Sequence, residues 1–183
     1  GTFRELIIKY ANIDIKDYDT KEKLLEKIKE DKIELDSETP IENLGYGNLV
    51  DYLYKKVARP NILGPVYLTG HPLELSPLAR SNDFDKSITD RFQLIVNGAE
   101  ILNGYSELVD PVEQEKRLLE QASLKAGGDE EAMDMDYDYI GAMEYGMPPI
   151  SGWGMGIDRL IQLLTNSDNI KDVVMYPLMR PEE

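Results

Sequence analysis

The dipeptide Asn97-Gly98 constrains this chain most. It stands between Arg91–Val96 and Glu100–Tyr105, two runs rich in apolar, β-branched and aromatic residues. Asn and Gly both tolerate the positive φ that a two-residue hairpin turn demands, so the pair predicts two tightly joined antiparallel strands. A parallel, Rossmann-type sheet needs long crossovers between its strands and is disfavoured from the outset.

The flanking sequence supplies the other elements. Residues 1–60 are rich in Lys and Glu and read as helical. Asp19 and Glu22 stand at capping-box spacing before Leu24, Leu25 and Ile28, which share one helix face. A second helix is predicted over Gly47–Val57, ending before Arg59-Pro60. Pro65–Thr69 reads as a strand and Ser81–Ser87 as a polar loop. Asp110 is an N-cap, Pro111 occupies the first helical position and Glu113 completes a box, with the helix stopping at Gly127-Gly128. A shorter helix is predicted over Tyr137–Tyr145. Ile150–Gly156 reads as a glycine-rich strand leading into Ile157–Thr165, whose Leu160, Ile161, Leu163 and Leu164 predict a buried helix. Val173–Tyr176 reads as a last strand, ended by Pro177. This order predicts an α+β fold with a mainly antiparallel sheet flanked by helices.

Composition narrows the function classes. At 183 residues the chain is one domain, or one with a small appendage, and 42% apolar residues suffice for a core. Its 20 Lys and Arg against 35 Asp and Glu leave a net charge of −15, which argues against a nucleic-acid surface on these residues. Without Cys there are no disulfides, thiolate zinc sites or cysteine nucleophile. The single His71 excludes multi-histidine metal sites, so any metal would be a hard cation on carboxylates. No apolar run approaches the ~20 residues of a membrane span. The first residues lack a signal-peptide layout. A cytoplasmic setting is expected.

Within Glu100–Glu107 (EILNGYSE), strand alternation places Asn103, Tyr105 and Glu107 on one face. An amide, an aromatic wall and a carboxylate suit an extended cationic ligand, its alkyl stem against Tyr105 and its ammonium on Glu107. An edge strand with a polar solvent face produces the same pattern. The alternate Gly152, Gly154 and Gly156 strip one strand face of side chains, which suits either a flat ligand or tight helix–sheet packing. Arg159 follows on the first turn of the next helix, placed for phosphate oxygens or a ring. G-x-G-x-G is not the G-x-G-x-x-G of dinucleotide sites, and there is no P-loop. From Gly127 to Asp158 the chain carries eight acids and no Lys or Arg. This run reads as a solvated face; the EF-hand pattern of a calcium loop is missing. His71 reads as a capped loop residue, and no Ser–His–acid arrangement follows from its spacing.

These residues resemble a known family. GWGMGIDR at 152–159 resembles motif 3 of the class II aminoacyl-tRNA synthetases. HPLELSPLAR at 71–80, TDRF at 89–92, EILNGYSELVDPVEQ at 100–114, AMEYGMPP at 142–149 and YPLMRP at 176–181 are similar to the class II lysyl-tRNA synthetase. The resemblance runs along nearly the whole chain and is weakest between Asp17 and Asn43. Its most specific block is NGYSEL.

The resemblance implies a class II synthetase-like fold with an incomplete sheet. Residues 61–183 would be the C-terminal part of the catalytic domain, and 1–60 a helical insertion between motifs 2 and 3. It implies an ATP-dependent ligase that joins lysine to ATP, giving lysyl-adenylate and pyrophosphate, and then passes lysine to the 3′ end of tRNA(Lys). Glu107 would bind the lysine ammonium, with Asn103 and Tyr105 lining the pocket. Glu100 would coordinate Mg²⁺ beside the ATP phosphates, and Arg159 would contact the adenine face and the γ-phosphate. These two would be the catalytic residues. Gly152, Gly154 and Gly156 would form the floor beneath the adenosine.

Two departures stand out. Seven positions before Glu100, where the family usually has a second magnesium-binding carboxylate, this chain has Gln93. The family's anticodon-binding domain, its motif 1 at the dimer interface and its motif 2 do not appear in these residues. The expectation is a fragment, inactive alone, of a homodimeric parent that grips tRNA mainly through its N-terminal domain. Two other readings are a non-catalytic paralogue binding a partner or a lysine-like ligand, and a lysine ligase acting on a translation factor. Gln93 and the missing motifs favour the first; Ser106 speaks against the second.

Overall fold

The computed structural model describes residues 1–178; residues 179–181 of the YPLMRP block lie outside them. Three helices come first: α1 (Phe3–Ala11), α2 (Lys21–Glu30) and α3 (Tyr46–Val57). Strand β1 (Val66–Thr69) and the hairpin β2 (Arg91–Val96) and β3 (Ala99–Ser106) follow. Then come α4 (Pro111–Ala126), α5 (Tyr137–Glu144), β4 (Ser151–Met155) and α6 (Ile157–Thr165). The sheet order is β1-β2-β3-β4, antiparallel at every ladder. This is the predicted α+β fold. Asn97 and Gly98 take φ of 49° and 73°, the left-handed pair that turns a two-residue hairpin in step with strand twist.

The helices bury one apolar face each against one face of the sheet. Phe3 and Ile7 of α1, Leu24 and Ile28 of α2, and Leu49 and Leu53 of α3 pack with Leu68 of β1 and Ile95 of β2. Each such side chain contributes roughly 1.5–3 kcal/mol through burial. Residues 1–60 therefore share a single core with the first two strands.

Helix starts follow side-chain chemistry, with shifts from the expected residues. Thr20, not Asp19, caps α2, its hydroxyl accepting from Lys23 N–H. Asp19 instead forms a 2.6 Å ion pair with Lys23. Asp110 caps α4 through Val112 and Glu113 N–H, but Glu113 turns away from the cap and pairs with Arg117 at 2.9 Å. The nearby guanidinium is the stronger partner for the carboxylate. The N-cap of α3 is Gly45, which has no side chain to cap it. This helix start is instead tied down from far along the chain by Asp129, whose carboxylate accepts from Gly45 N–H at 2.6 Å and from Asn48 Nδ2 at 2.9 Å. Asp129 is fully buried, so the acidic run is not simply a solvated face.

Two expectations fail near the end of the described residues. Val173–Tyr176 is not a strand; Val173 closes a 3₁₀ turn at Ile170–Asp172, and the segment joins no ladder among the described residues. Helix α6 is not buried. Ile157, Ile161, Leu163 and Leu164 are all exposed, Ile157 and Leu164 the most, while Leu163 borders a cleft against the sheet.

Candidate functional site

The ladder register decides which side chains share a sheet face, since directly paired residues point the same way. Arg91 pairs with Tyr105, Gln93 with Asn103 and Ile95 with Glu100. Across the next ladder Asn103 pairs with Gly154 and Tyr105 with Gly152. Strict alternation would send Glu100 to the face opposite Asn103. The register shifts between Leu94 and Ile95, however, leaving Ile101 as an extra residue on β3. This bulge rotates Glu100 back to the side of Asn103 and Tyr105. Arg91, Gln93, Glu100, Asn103, Tyr105, Gly152 and Gly154 thus share one face. Toward β1 that face is sealed by the helices. Toward β4 it is open.

At its open end lies a cavity of about 730 Å³ lined by Leu78, Tyr105, Glu107, Leu118, Tyr139 and the loop 133–138. Glu107 is held just past β3 by backbone bonds on both sides: Arg80 N–H to Ser106 O at 2.8 Å, Leu108 N–H to Leu78 O at 3.0 Å, and its own N–H to Ile150 O at 3.0 Å. Its carboxylate forms no ion pair and accepts no hydrogen bond among the described residues. Burial pushes Glu107 above the usual carboxylate range, and burial followed by the charge of Glu107 pushes the Tyr105 and Tyr139 hydroxyls up as well. The cavity therefore offers a half-buried carboxylate between two aromatic walls, with Asp136 and Asp138 at its rim. A cation on an apolar stem satisfies that arrangement.

A second cavity, about 280 Å³, lies deeper, between the sheet face and α3. Here nearly every group is engaged. The Gln93 amide donates to Glu100 Oε2 at 2.8 Å, and its Oε1 lies 3.2 Å from His71 Nε2. Arg91 Nε donates to Asn103 Oδ1 at 2.9 Å, and its Nη1 donates to Ser76 Oγ at 3.0 Å and the Leu75 carbonyl at 3.3 Å. Burial lowers the Arg91 pKa, and burial with the nearby Arg91 charge drives His71 down to about 4, so its ring is neutral at pH 7. Two further carboxylates lining this cavity are also occupied, Asp51 by Lys55 at 2.7 Å and Glu131 by the Tyr52 hydroxyl. As a pair, Gln93 and Glu100 do not fit a divalent cation: a hard cation requires oxygen donors, and an amide N–H group faces Glu100. Among the described residues no three acidic, His or Cys side chains converge as a metal site.

The remaining candidates fall around these cavities. Gly154 has nothing within 4 Å of where a Cβ would sit, so beside Asn103 the face is bare. A Cβ on Gly152 would stand 3.3 Å from Glu107 Oε1. Gly156 starts α6, its N–H on the Ile101 carbonyl at 3.0 Å. Arg159 reaches back to donate to the Glu100 carbonyl at 2.9 Å and lines a separate cleft with Val96, Asn97, Ala99 and Ile101. The structure thus unites Glu107 with Tyr105 and Gln93 with Glu100. Asn103 sits between the two groups, and Arg159 touches the second only through backbone.

Sequence reasoning missed Arg91, His71 and Tyr139 as parts of these sites. For Arg91 a signal existed: Arg91 and Gln93 are polar at alternate positions of an otherwise apolar strand, RFQLIV. Tyr139 offered none, because helix α5 meets the cavity only through tertiary packing.

An antiparallel sheet whose glycine-bared strand runs into a helix with an early arginine belongs with the class II synthetase architecture. The family described as tRNA synthetases class II (D, K and N) matches residues 5–180, and the chain belongs to that family. Within it, the chain is similar to proteins named Lysine–tRNA ligase. That of Thermosipho africanus (strain TCF52B) is 46% identical over 178 residues, 97% of this chain and 34% of that protein. That of Aster yellows witches'-broom phytoplasma (strain AYWB) is 46% identical over 167 residues, 91% of this chain and 33% of that protein. That of Xanthomonas oryzae pv. oryzae (strain MAFF 311018) is 51% identical over 138 residues, covering 75% and 27%. The chain spans about a third of the length of these relatives. No helix among the described residues is long and apolar enough to cross a membrane.

Proposed function

We propose that these residues are the C-terminal part of the catalytic domain of a lysine–tRNA ligase, with residues 1–60 a helical insertion preceding the sheet. Lysine enters the cavity at the open end, its ammonium on Glu107 and its alkyl stem between Tyr105 and Tyr139. A lysine carboxylate oxygen attacks the α-phosphorus of ATP, pyrophosphate leaves, and lysyl-adenylate forms. The tRNA(Lys) 3′-terminal hydroxyl then attacks the adenylate carbonyl and AMP leaves. Adenosine lies along Gly152, Gly154 and Gly156, and Arg159 meets the ATP from the first turn of α6. No protein nucleophile is required, since the work is positioning and charge stabilisation. That suits a chain with no Cys and one buried His.

The unpartnered Glu107 carboxylate between two tyrosines carries this reading, because a half-buried charge without a partner is costly and a lysine ammonium removes that cost. The test is lysine-dependent ATP–pyrophosphate exchange, in the intact parent and in the 183-residue chain. The parent is expected to exchange and the chain alone is not. Exchange by the chain at the parental rate overturns the fragment reading. An unchanged lysine KM in parental Glu107→Gln overturns the pocket assignment. Gln93 in place of a carboxylate favours a second reading, a lysine-binding module without ligase activity; lysine binding by a parent that cannot exchange pyrophosphate would establish it.

A further inference from the structure

The deeper cavity contains a chain of three side chains whose order has a chemical consequence. Glu100, when ionised, only accepts hydrogen bonds. The Gln93 amide beside it carries a donor end and an acceptor end, and only the donor end is compatible with a carboxylate oxygen at 2.8 Å. With its NH₂ on Glu100, Gln93 must direct Oε1 at His71 Nε2, 3.2 Å away. Two acceptors cannot face each other at that distance inside a core, so Nε2 carries the proton. This holds for the neutral ring and for the charged one alike. His71 and Gln93 are both buried, at 1% and 8% exposure, so their contact is shielded from bulk water. His71 is itself held from its backbone, its carbonyl accepting from Thr89 N–H at 2.9 Å. It also packs on Phe3, with ring centroids 5.4 Å apart.

We infer that His71 is a positioning residue that locks the Gln93 amide with its NH₂ on Glu100, so that Gln93 serves as a hydrogen-bond donor there and not as a metal ligand. The amide N–H group occupies the position a cation would take between two carboxylates. Any divalent ion at this place is left with Glu100 as its one carboxylate from this pair. Turning Gln93 to present oxygen would require the His71 proton to leave Nε2 for Nδ1, which breaks the contact between Nε2 and Oε1. The inference concerns the fold of these residues and stands or falls independently of the ligase reading.

His71 is the one histidine of the chain, so its ring nitrogens are observed without ambiguity by long-range ¹H–¹⁵N correlation. The expected result is the Nε2–H tautomer at neutral pH. Finding the Nδ1–H tautomer overturns the proposal. A second measurement follows Mn²⁺ binding by electron paramagnetic resonance in the wild type and in Gln93→Glu. The substitution replaces the donor with a second carboxylate, and it is expected to tighten Mn²⁺ binding about tenfold or more. Equal affinities would mean that Gln93 already acts as a ligand, and they overturn the proposal. Where Gln93→Glu does not fold, the side-chain amide resonance of wild-type Gln93 gives the answer. It is expected to stay in place as millimolar Mg²⁺ is added, and movement of that resonance overturns the proposal.

Discussion

The two cavities on this sheet face are finished in opposite ways. In the deeper one Gln93, Glu100, Arg91 and Asn103 are joined to each other or to the loop at Leu75 and Ser76. In the outer one Glu107 is fixed by its backbone while its carboxylate is left without a partner. A satisfied network holds geometry, whereas an unsatisfied charge holds capacity for a ligand. The contrast predicts that substitutions in the outer cavity change binding with little change in stability, and that those in the deeper one do the reverse.

The largest effect on binding belongs to Glu107. In the parent, Glu107→Gln should weaken lysine about 100-fold, in the range of a charge-assisted hydrogen bond, with the melting temperature held or slightly raised. Equilibrium titration with lysine and thermal melts measure the two arms; a large drop in melting temperature with intact affinity breaks the contrast. The same carboxylate sets a pH dependence. Its folded pKa lies above the ordinary value, so its contribution to folding is present at low pH and is lost as pH rises through that pKa. Lysine binding needs the ionised form and has the opposite sign. Affinity should therefore fall as pH is lowered through the raised pKa, and Glu107→Gln should flatten that profile.

Arg91→Ala comes next. It removes three hydrogen bonds and strands Asn103 and Ser76 in a partly buried site, costing about 2–3 kcal/mol in urea unfolding. A loss below about 0.5 kcal/mol, the range of a neutral surface change, would show that this network holds nothing in place. Glycines sharpen the comparison further. A Cβ on Gly104 would lie 2.8 Å from Trp153 Cβ and 2.9 Å from a Phe92 ring atom. Gly104→Ala should cost about 1–3 kcal/mol through overpacking. Gly154→Ala meets nothing within 4 Å and should change stability by less than about 0.5 kcal/mol, while weakening ATP in the parent.

The parts of the molecule that local chemistry controls were legible in the sequence. Asn97-Gly98 specified its hairpin, and Asp110, Pro111 and Gly127 bracketed α4 to the residue. Tyr105 and Glu107 were grouped correctly by alternation alone. What escaped was decided between distant segments. The bulge at Ile101 depends on how β2 and β3 settle against each other, and no residue type announces it. Asp129 looked like one acid among eight, yet it ties down a helix start 84 residues away. The apolar pattern of α6 identifies its oily side but not how much of it is covered: Leu163 borders the cleft with Val96 and Ile101, while Ile157 and Leu164 stay exposed.

The bulge has a consequence for how such chains can change. Because one additional residue is accommodated as a bulge, the side from which Glu100 emerges depends on how β3 pairs as well as on which residues it contains. Exchanging Ile101 for another apolar residue keeps the carboxylate with its neighbours. Removing it leaves Glu100 two positions from Asn103, still on that face by simple alternation, whereas keeping Ile101 and pairing it into a regular ladder would carry Glu100 through the sheet to the side of Leu94 and Trp153, away from Gln93. At this point in the chain the pairing register is itself chemical information, and a slip of one position is the difference between a site and a surface.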